Sequence, residues 1–149
     1  FFPSTGRVRK IAGKSKGESV QGVGGDFSYE DLGGGKLEEK YSFSILSSGS
    51  NEWVLEGATK KEDSVYSKIV ITIAMSNYLP TKIEYYTTKD GHLKDLVMNE
   101  VKMIDGRETA TRILMMNIKK ESKTLVILKA ARYGISVPEN LLNPNQFYK

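Results

Sequence analysis

The 149-residue chain contains no cysteine. That excludes a disulfide framework, a thiolate metal site and a cysteine nucleophile. It leaves the compartment open, because disulfides are common but not obligatory in oxidising surroundings. Histidine is nearly lacking too. His92 stands alone, so no His/Cys set for a transition metal can form. No run approaches the roughly 18 apolar residues of a membrane helix, and no signal-peptide pattern is visible. The chain opens Phe1-Phe2-Pro3 without an initiator Met, which reads as a mature or excised piece of a longer precursor. An excess of one charge is also lacking. There are 22 basic and 18 acidic residues, a net charge of +4, spread along the chain. A nucleic-acid partner would call for a clustered basic face, so none is expected.

What is present is an ordinary globular balance, 39% apolar and 27% charged, over a length that suits one domain, residues 1–149. Residues 1–36 are irregular and Gly-rich. Arg7 to Ala12 predicts one short strand, and residues 13–25 a flexible Gly-rich loop. Gly22-Val23-Gly24-Gly25 lacks the Gly-Lys-Ser/Thr ending and the strand-then-helix setting of a phosphate loop.

From residue 37 the pattern turns to period two, the mark of half-buried strands. Tyr41, Phe43 and Ile45 alternate with serines; Trp53 and Leu55 with Val54 and Glu56; Ile69, Ile71, Ile73 and Met75 with Lys68, Val70 and Thr72; Ile83 and Tyr85 with Lys82, Glu84 and Tyr86. β-Branched and aromatic residues dominate, as a pleated surface favours. Asp90-Gly91 and Asp105-Gly106 are strong hairpin signals, and a third turn is expected within Lys119–Lys123. These predict a meander with strands near 81–89, 92–104, 107–118 and 124–133. Leu93, Leu96, Val97, Val101 and Ile104 also fit a helical stripe, but the Asp-Gly turns on both sides favour a strand. Pro138 to Leu142 predicts one helical turn, ended by Asn143-Pro144-Asn145, with Phe147-Tyr148 pinning the end.

Tight turns fix a register. With two-residue loops, Tyr85 faces Leu96, Ile83 faces Met98, Met98 faces Ile113 and Leu96 faces Met115. Ile83, Tyr85, Leu96, Met98, Ile113 and Met115 then share one apolar face. The opposite face is mixed, with Lys82, Glu84, Asp95 and Asn99 beside Val97, Val101, Leu114 and Met116. Ile113–Met116 and Leu125–Leu128 are apolar on both faces, which calls for a second layer, a partner or an apolar ligand. Methionines there suit an adaptable surface. Core packing is the plainer account of any single one of these residues.

Catalytic groups are sparse. His92 follows an Asp-Gly turn and is expected to be exposed. The acidic pairs Glu30-Asp31, Glu38-Glu39 and Glu62-Asp63 could serve acid–base chemistry, but charges at strand ends and in loops are usually solvated. No feature argues for an enzyme, a cofactor or a metal.

An ordered set of short motifs carries a resemblance. Gly6-Arg7-Val8-Arg9-Lys10-Ile11 is followed by Asp26-Phe27-Ser28-Tyr29-Glu30-Asp31-Leu32. Then come Tyr66-Ser67-Lys68-Ile69, Tyr78-Leu79-Pro80-Thr81-Lys82-Ile83-Glu84-Tyr85-Tyr86, His92-Leu93-Lys94-Asp95-Leu96, Ile104-Asp105-Gly106-Arg107, and Tyr133-Gly134-Ile135-Ser136-Val137-Pro138 with Phe147. Together they resemble the outer-membrane lipoprotein-sorting proteins, the LolA-like superfamily. The chain departs at Glu108, Thr109 and Ala110, where the family usually has a Trp and a Pro, and in its Gly-rich loops.

The resemblance implies a mainly all-β fold with little helix: a curved antiparallel meander, an unclosed half-barrel whose concave face is plugged by helices. The family's N-terminal strands and helix would be lacking from this chain. It further implies a non-catalytic periplasmic carrier or binding module in outer-membrane biogenesis and lipid transport, holding the acyl chains of lipids or lipoproteins. Ile83, Tyr85, Leu96, Met98, Ile113 and Met115 are then the candidate ligand lining. An envelope membrane protein is the expected partner, and an open strand edge could pair two copies. The alternative is a protein-interaction or sensor module of the cell envelope, using the same face.

Overall fold

The alternating runs become a continuous ladder. The computed structural model describes residues 10–20, 25–33, 35–62 and 64–143. They build seven strands: β1 (Tyr41–Ser48), β2 (Glu52–Thr59), β3 (Lys68–Ala74), β4 (Pro80–Thr87), β5 (Gly91–Ile104), β6 (Arg107–Asn117) and β7 (Ser122–Ile127). All neighbours are antiparallel, and the sheet order is β1 through β7 in sequence. β1 and β7 do not meet, so the sheet stays open, as an unclosed half-barrel does. Among the described residues helix is confined to α1 (Tyr29–Leu32), α2 (Leu37–Lys40) and α3 (Glu139–Leu142), with a 3-10 turn over Gly13–Gly17. Among the described residues no helix is long and apolar enough to cross a membrane.

The turns explain the register. Asp105 and Gly106 both take positive φ, 49° and 75°, so this hairpin closes with the tight loop that such a pair favours, and Ile104 pairs with Arg107. Leu96 meets Met115, and Met98 meets Ile113. The first hairpin differs from expectation. Only Gly91 has positive φ there; the loop is longer, and Thr87 pairs with Gly91. That shift alone would exchange the faces of β4. An irregularity between Tyr85 and Tyr86 restores the parity, so Ile83 pairs with Leu96 and Tyr85 with Lys94, not with Met98 and Leu96. The predicted partners are therefore corrected by two residues, while the predicted face is unchanged. The segment 92–104 is a strand, its helical spacing overridden by pairing on both sides.

Three further expectations change. Lys10–Ala12 is not in a strand, and Arg7–Arg9 lies outside the described residues. Gly13–Gly17 forms the 3-10 turn, and Ser19 bridges to Ser28; residues 21–24 lie outside the described residues. β7 ends at Ile127 instead of 133. Beyond it the chain turns to the β5–β6 hairpin: the Tyr133 N–H donates to the Asp105 carboxylate at 2.7 Å, and its hydroxyl bonds Thr109 at 2.9 Å. A side chain, not a strand, captures that backbone donor. The helical turn near 138–142 is present as α3, whereas Phe147-Tyr148 lies outside the described residues.

One face of the sheet holds the core. Ile69, Ile71, Tyr85 and Met115 point there, joined by Tyr41 and, from outside the strands, Phe27 and Tyr66. Each such side chain contributes about 1.5–3 kcal/mol by burial. Gly57 of β2 is part of this face. A Cβ there would lie 2.6 Å from the Phe43 ring and 3.1 Å from Ile69; its lack of a side chain lets Phe43 lie across the sheet.

Candidate functional site

The segment Asp26–Leu32 crosses the core face as a plug. Ser28 caps α1 in extended backbone, and the Asp31 carboxylate turns back to accept its N–H at 2.7 Å. The helix is only one turn long, too short to hold itself without tertiary support. That support comes from side chains. Phe27 enters the core at 4% exposure. Asp31 is ion-paired with Lys94 of β5, and both side chains are almost wholly buried. The other Asp31 oxygen accepts from the Tyr66 hydroxyl at 2.6 Å, and Ser28 Oγ lies 3.0 Å from that hydroxyl. Lys94 Nζ also donates to the Asp26 carbonyl at 3.3 Å. The Asp26 carboxylate accepts from Ser122 and, at 2.6 Å, from Thr124, both on β7. One short segment is thus fastened to two strands.

Burial pulls the Lys94 ammonium below the ordinary lysine range, and the adjacent Asp31 opposes that pull. The ammonium lies 5.2 and 5.5 Å from the ring centres of Tyr66 and Tyr85, whose faces favour a cation. Burial, reinforced by Asp31, drives the phenols of Tyr66 and Tyr85 well above their usual range. These groups stay un-ionised at neutral pH and act as donors and packing surfaces. Among the described residues every buried side-chain nitrogen and oxygen has a partner. The network is fully satisfied, the condition under which buried polar groups rigidify a core.

Two spaces adjoin the plug. A cavity of about 70 Å³ lies against Asp31, Tyr41, Tyr66, Ile69, Ile83 and Tyr85. A surface pocket of about 480 Å³ opens beside Tyr29, Leu32 and Lys61. The six predicted lining residues all lie on the plugged face but divide into two groups. Tyr85 and Met115 are buried within the core cluster, while Ile83, Leu96, Met98 and Ile113 are half-buried.

The opposite face carries a polar ladder. Lys68 bridges Glu56 at 3.0 Å and lies 4.6 Å from the Tyr86 ring centre. Glu84 accepts from Lys82 at 2.8 Å and from the Tyr86 hydroxyl at 2.7 Å, which pushes that phenol up to about 12. His92 belongs here. It is half-buried rather than exposed, stacked on Tyr86 and hydrogen-bonded to Asp95 at 2.7 Å. Among the described residues no group of acidic and histidine side chains could hold a metal ion.

The ion pair at the centre of the plug was missed in sequence, where Asp31 counted among solvated acidic residues. Asp63 of the third acidic pair lies outside the described residues. Glu30, beside Asp31, pairs with Lys40 at 2.9 Å. The available signal was Lys94 inside Leu93-Lys94-Asp95-Leu96: a cation at a core-face position of a strand demands a buried anion.

Comparison with known proteins agrees with this architecture. The family model whose description reads "-like: Uncharacterized protein" matches residues 1–149. No curated protein matches significantly. A crystal structure described as an outer membrane lipoprotein-sorting protein domain from Vibrio parahaemolyticus is 29% identical, with a TM-score of 0.84 over 97% of this chain and 63% of that one. A DUF1329 family protein from Desulfovibrio piger is 25% identical, with a TM-score of 0.84 over 95% of this chain and 60% of that one. A LolA superfamily protein from Nitrosomonas europaea shares the fold at 22% identity, with a TM-score of 0.73 over 96% and 64%. The chain therefore spans 60–64% of the length of these solved structures. The chain belongs to the family of that full-length model, and its open seven-stranded meander has the LolA-like fold of these solved structures.

Proposed function

We propose that this domain binds the acyl chains of lipids or lipoproteins on the plugged face of its sheet, without catalysis, as a periplasmic carrier or binding module. The observation that carries the reading is the apolar strip that the described residues leave half-covered on that face. Ile83, Leu96, Met98 and Ile113 form a half-buried apolar strip next to a plug that a few polar contacts retain. The fold match to a structure described as a lipoprotein-sorting domain supports it.

The mechanism is burial. The 70 Å³ cavity is smaller than the roughly 300 Å³ of even a modest ligand site, so an acyl chain enters by displacing plug contacts. Each buried methylene contributes about 0.8 kcal/mol, and ten supply about 8 kcal/mol. Opening one buried ion pair costs about 3–5 kcal/mol. Once the cost of association is counted the opposing quantities are of similar size, which allows both loading and release to an envelope membrane-protein acceptor. Met98 and Met115 suit chains of varied shape. Among the described residues β1 pairs with β2 alone, with Ile45 and Leu46 exposed, an edge suited to pairing with a second copy.

Native mass spectrometry of protein purified from cell envelopes, followed by solvent extraction, tests the reading. A bound acyl species is expected. Protein that remains empty after incubation with lipids overturns it and favours a partner-binding module. Leu96→Glu is expected to abolish acyl binding while the protein stays folded; a folded variant that binds as before places the ligand elsewhere.

A further inference from the structure

The half-buried ion pair between Glu30 and Lys40 occupies a junction. Its groups lie 2.9 Å apart, with side chains 13% and 25% exposed. Both residues, with Gly33 and Gly35, line the 480 Å³ surface pocket and also the 70 Å³ inner cavity. Outward of the pair the walls carry Lys16 and Lys61 beside Ile11 and Leu32. Inward they are Tyr41, Tyr66, Ile69, Ile83 and Tyr85. Lys16 and Lys61 line a third, smaller cavity with the same Glu30 and Lys40. The two exposed lysines thus converge on this pair from outside.

From this arrangement we infer a head-group site for an anionic single-chain amphiphile at the surface pocket. Its carboxylate or phosphate is held by Lys16, Lys40 and Lys61, and its chain passes inward beside the Glu30–Lys40 pair. The inference rests on the acyl-binding reading and adds the chemistry of the head group. Three ammonium groups face the two carboxylates of Glu30 and Glu39 around this pocket, so the mouth favours an anion. Lys40 has three N–H donors and can donate to an incoming anion while it keeps Glu30, so neither charge of the half-buried pair is left without a partner. A neutral head group offers the three ammonium groups no counter-charge.

Calorimetric titration of the whole chain with palmitate, palmitoyl lysophosphatidic acid and monopalmitoylglycerol, at low and high salt, tests this. The anionic ligands are expected to bind about tenfold more tightly than the glycerol ester at low salt, an advantage of charge-assisted hydrogen bonds. Salt is expected to erode that advantage. The carboxylate and phosphate arms tell which anion is preferred. Lys16 and Lys61 are exposed, so the double variant K16Q/K61Q should fold normally, lose the preference and keep its affinity for the glycerol ester. Equal affinity for all three ligands, or a preference kept in the double variant, overturns the head-group site while acyl binding stands. No binding of any ligand overturns both.

Discussion

Lys94 shows how a single side chain can hold one element to another. Its ammonium meets Asp31, the Asp26 carbonyl and two aromatic faces. Replacing it by Met removes the cation and leaves a buried carboxylate. Lys94→Met is expected to cost about 3–5 kcal/mol in urea unfolding. Adding Asp31→Asn should recover part of that loss, because the stranded charge goes with it. Additive losses would mean that the two groups act independently. Lys94 shares the strand parity of Leu96 and Met98, so it falls on the predicted apolar face, but Asp31 looks like any acid at the start of a helix and nothing marks it as the partner. The partners lie 63 positions apart, a separation across which local pattern carries no information.

Elements were more legible than contacts. Period-two alternation marked the strands because side chains alternate across a pleated sheet, and Asp105-Gly106 marked its hairpin because both residues must take positive φ. The plugged-face residues of β4, β5 and β6 were grouped on one face even though the β4–β5 partners were wrong. The longer loop and the irregularity at Tyr85/Tyr86 offset each other in parity, and neither leaves a mark in the residue pattern. On the outer face, Glu84 belongs to a ladder along β4. Its hydrogen bond from Lys82, with a second from Tyr86, holds its carboxyl below the ordinary value of 4.5. A depressed carboxyl stabilises the fold above its unfolded pKa and loses that contribution as pH falls through its folded pKa. Glu84→Gln is therefore expected to lower stability at neutral pH and to flatten the decline below about pH 4.5. The ladder is partly exposed to solvent, which screens it, so the effect is small. Urea midpoints across the acid range check it; an unchanged acid limb would assign the ladder no role in stability.

At the scale of the whole molecule, two kinds of contact differ in reach. Every strand pairs only with its neighbour in sequence. The plug instead closes separations of 63, 96 and 98 residues to Lys94, Ser122 and Thr124. Loop closure is costlier the longer the loop, and local pairings form sooner than distant ones. The sheet is therefore expected to assemble hairpin by hairpin, with Asp26–Leu32 docking last. In native-state hydrogen exchange, amides of that segment should open at a lower free energy than those of β5 and β6. Equal protection would make plug and sheet one cooperative unit. The consequence is one of timing. Until the plug docks, a newly folded sheet presents an uncovered apolar face, so in a membrane-rich compartment the first molecule to reach that face could be a lipid rather than the chain's own Phe27.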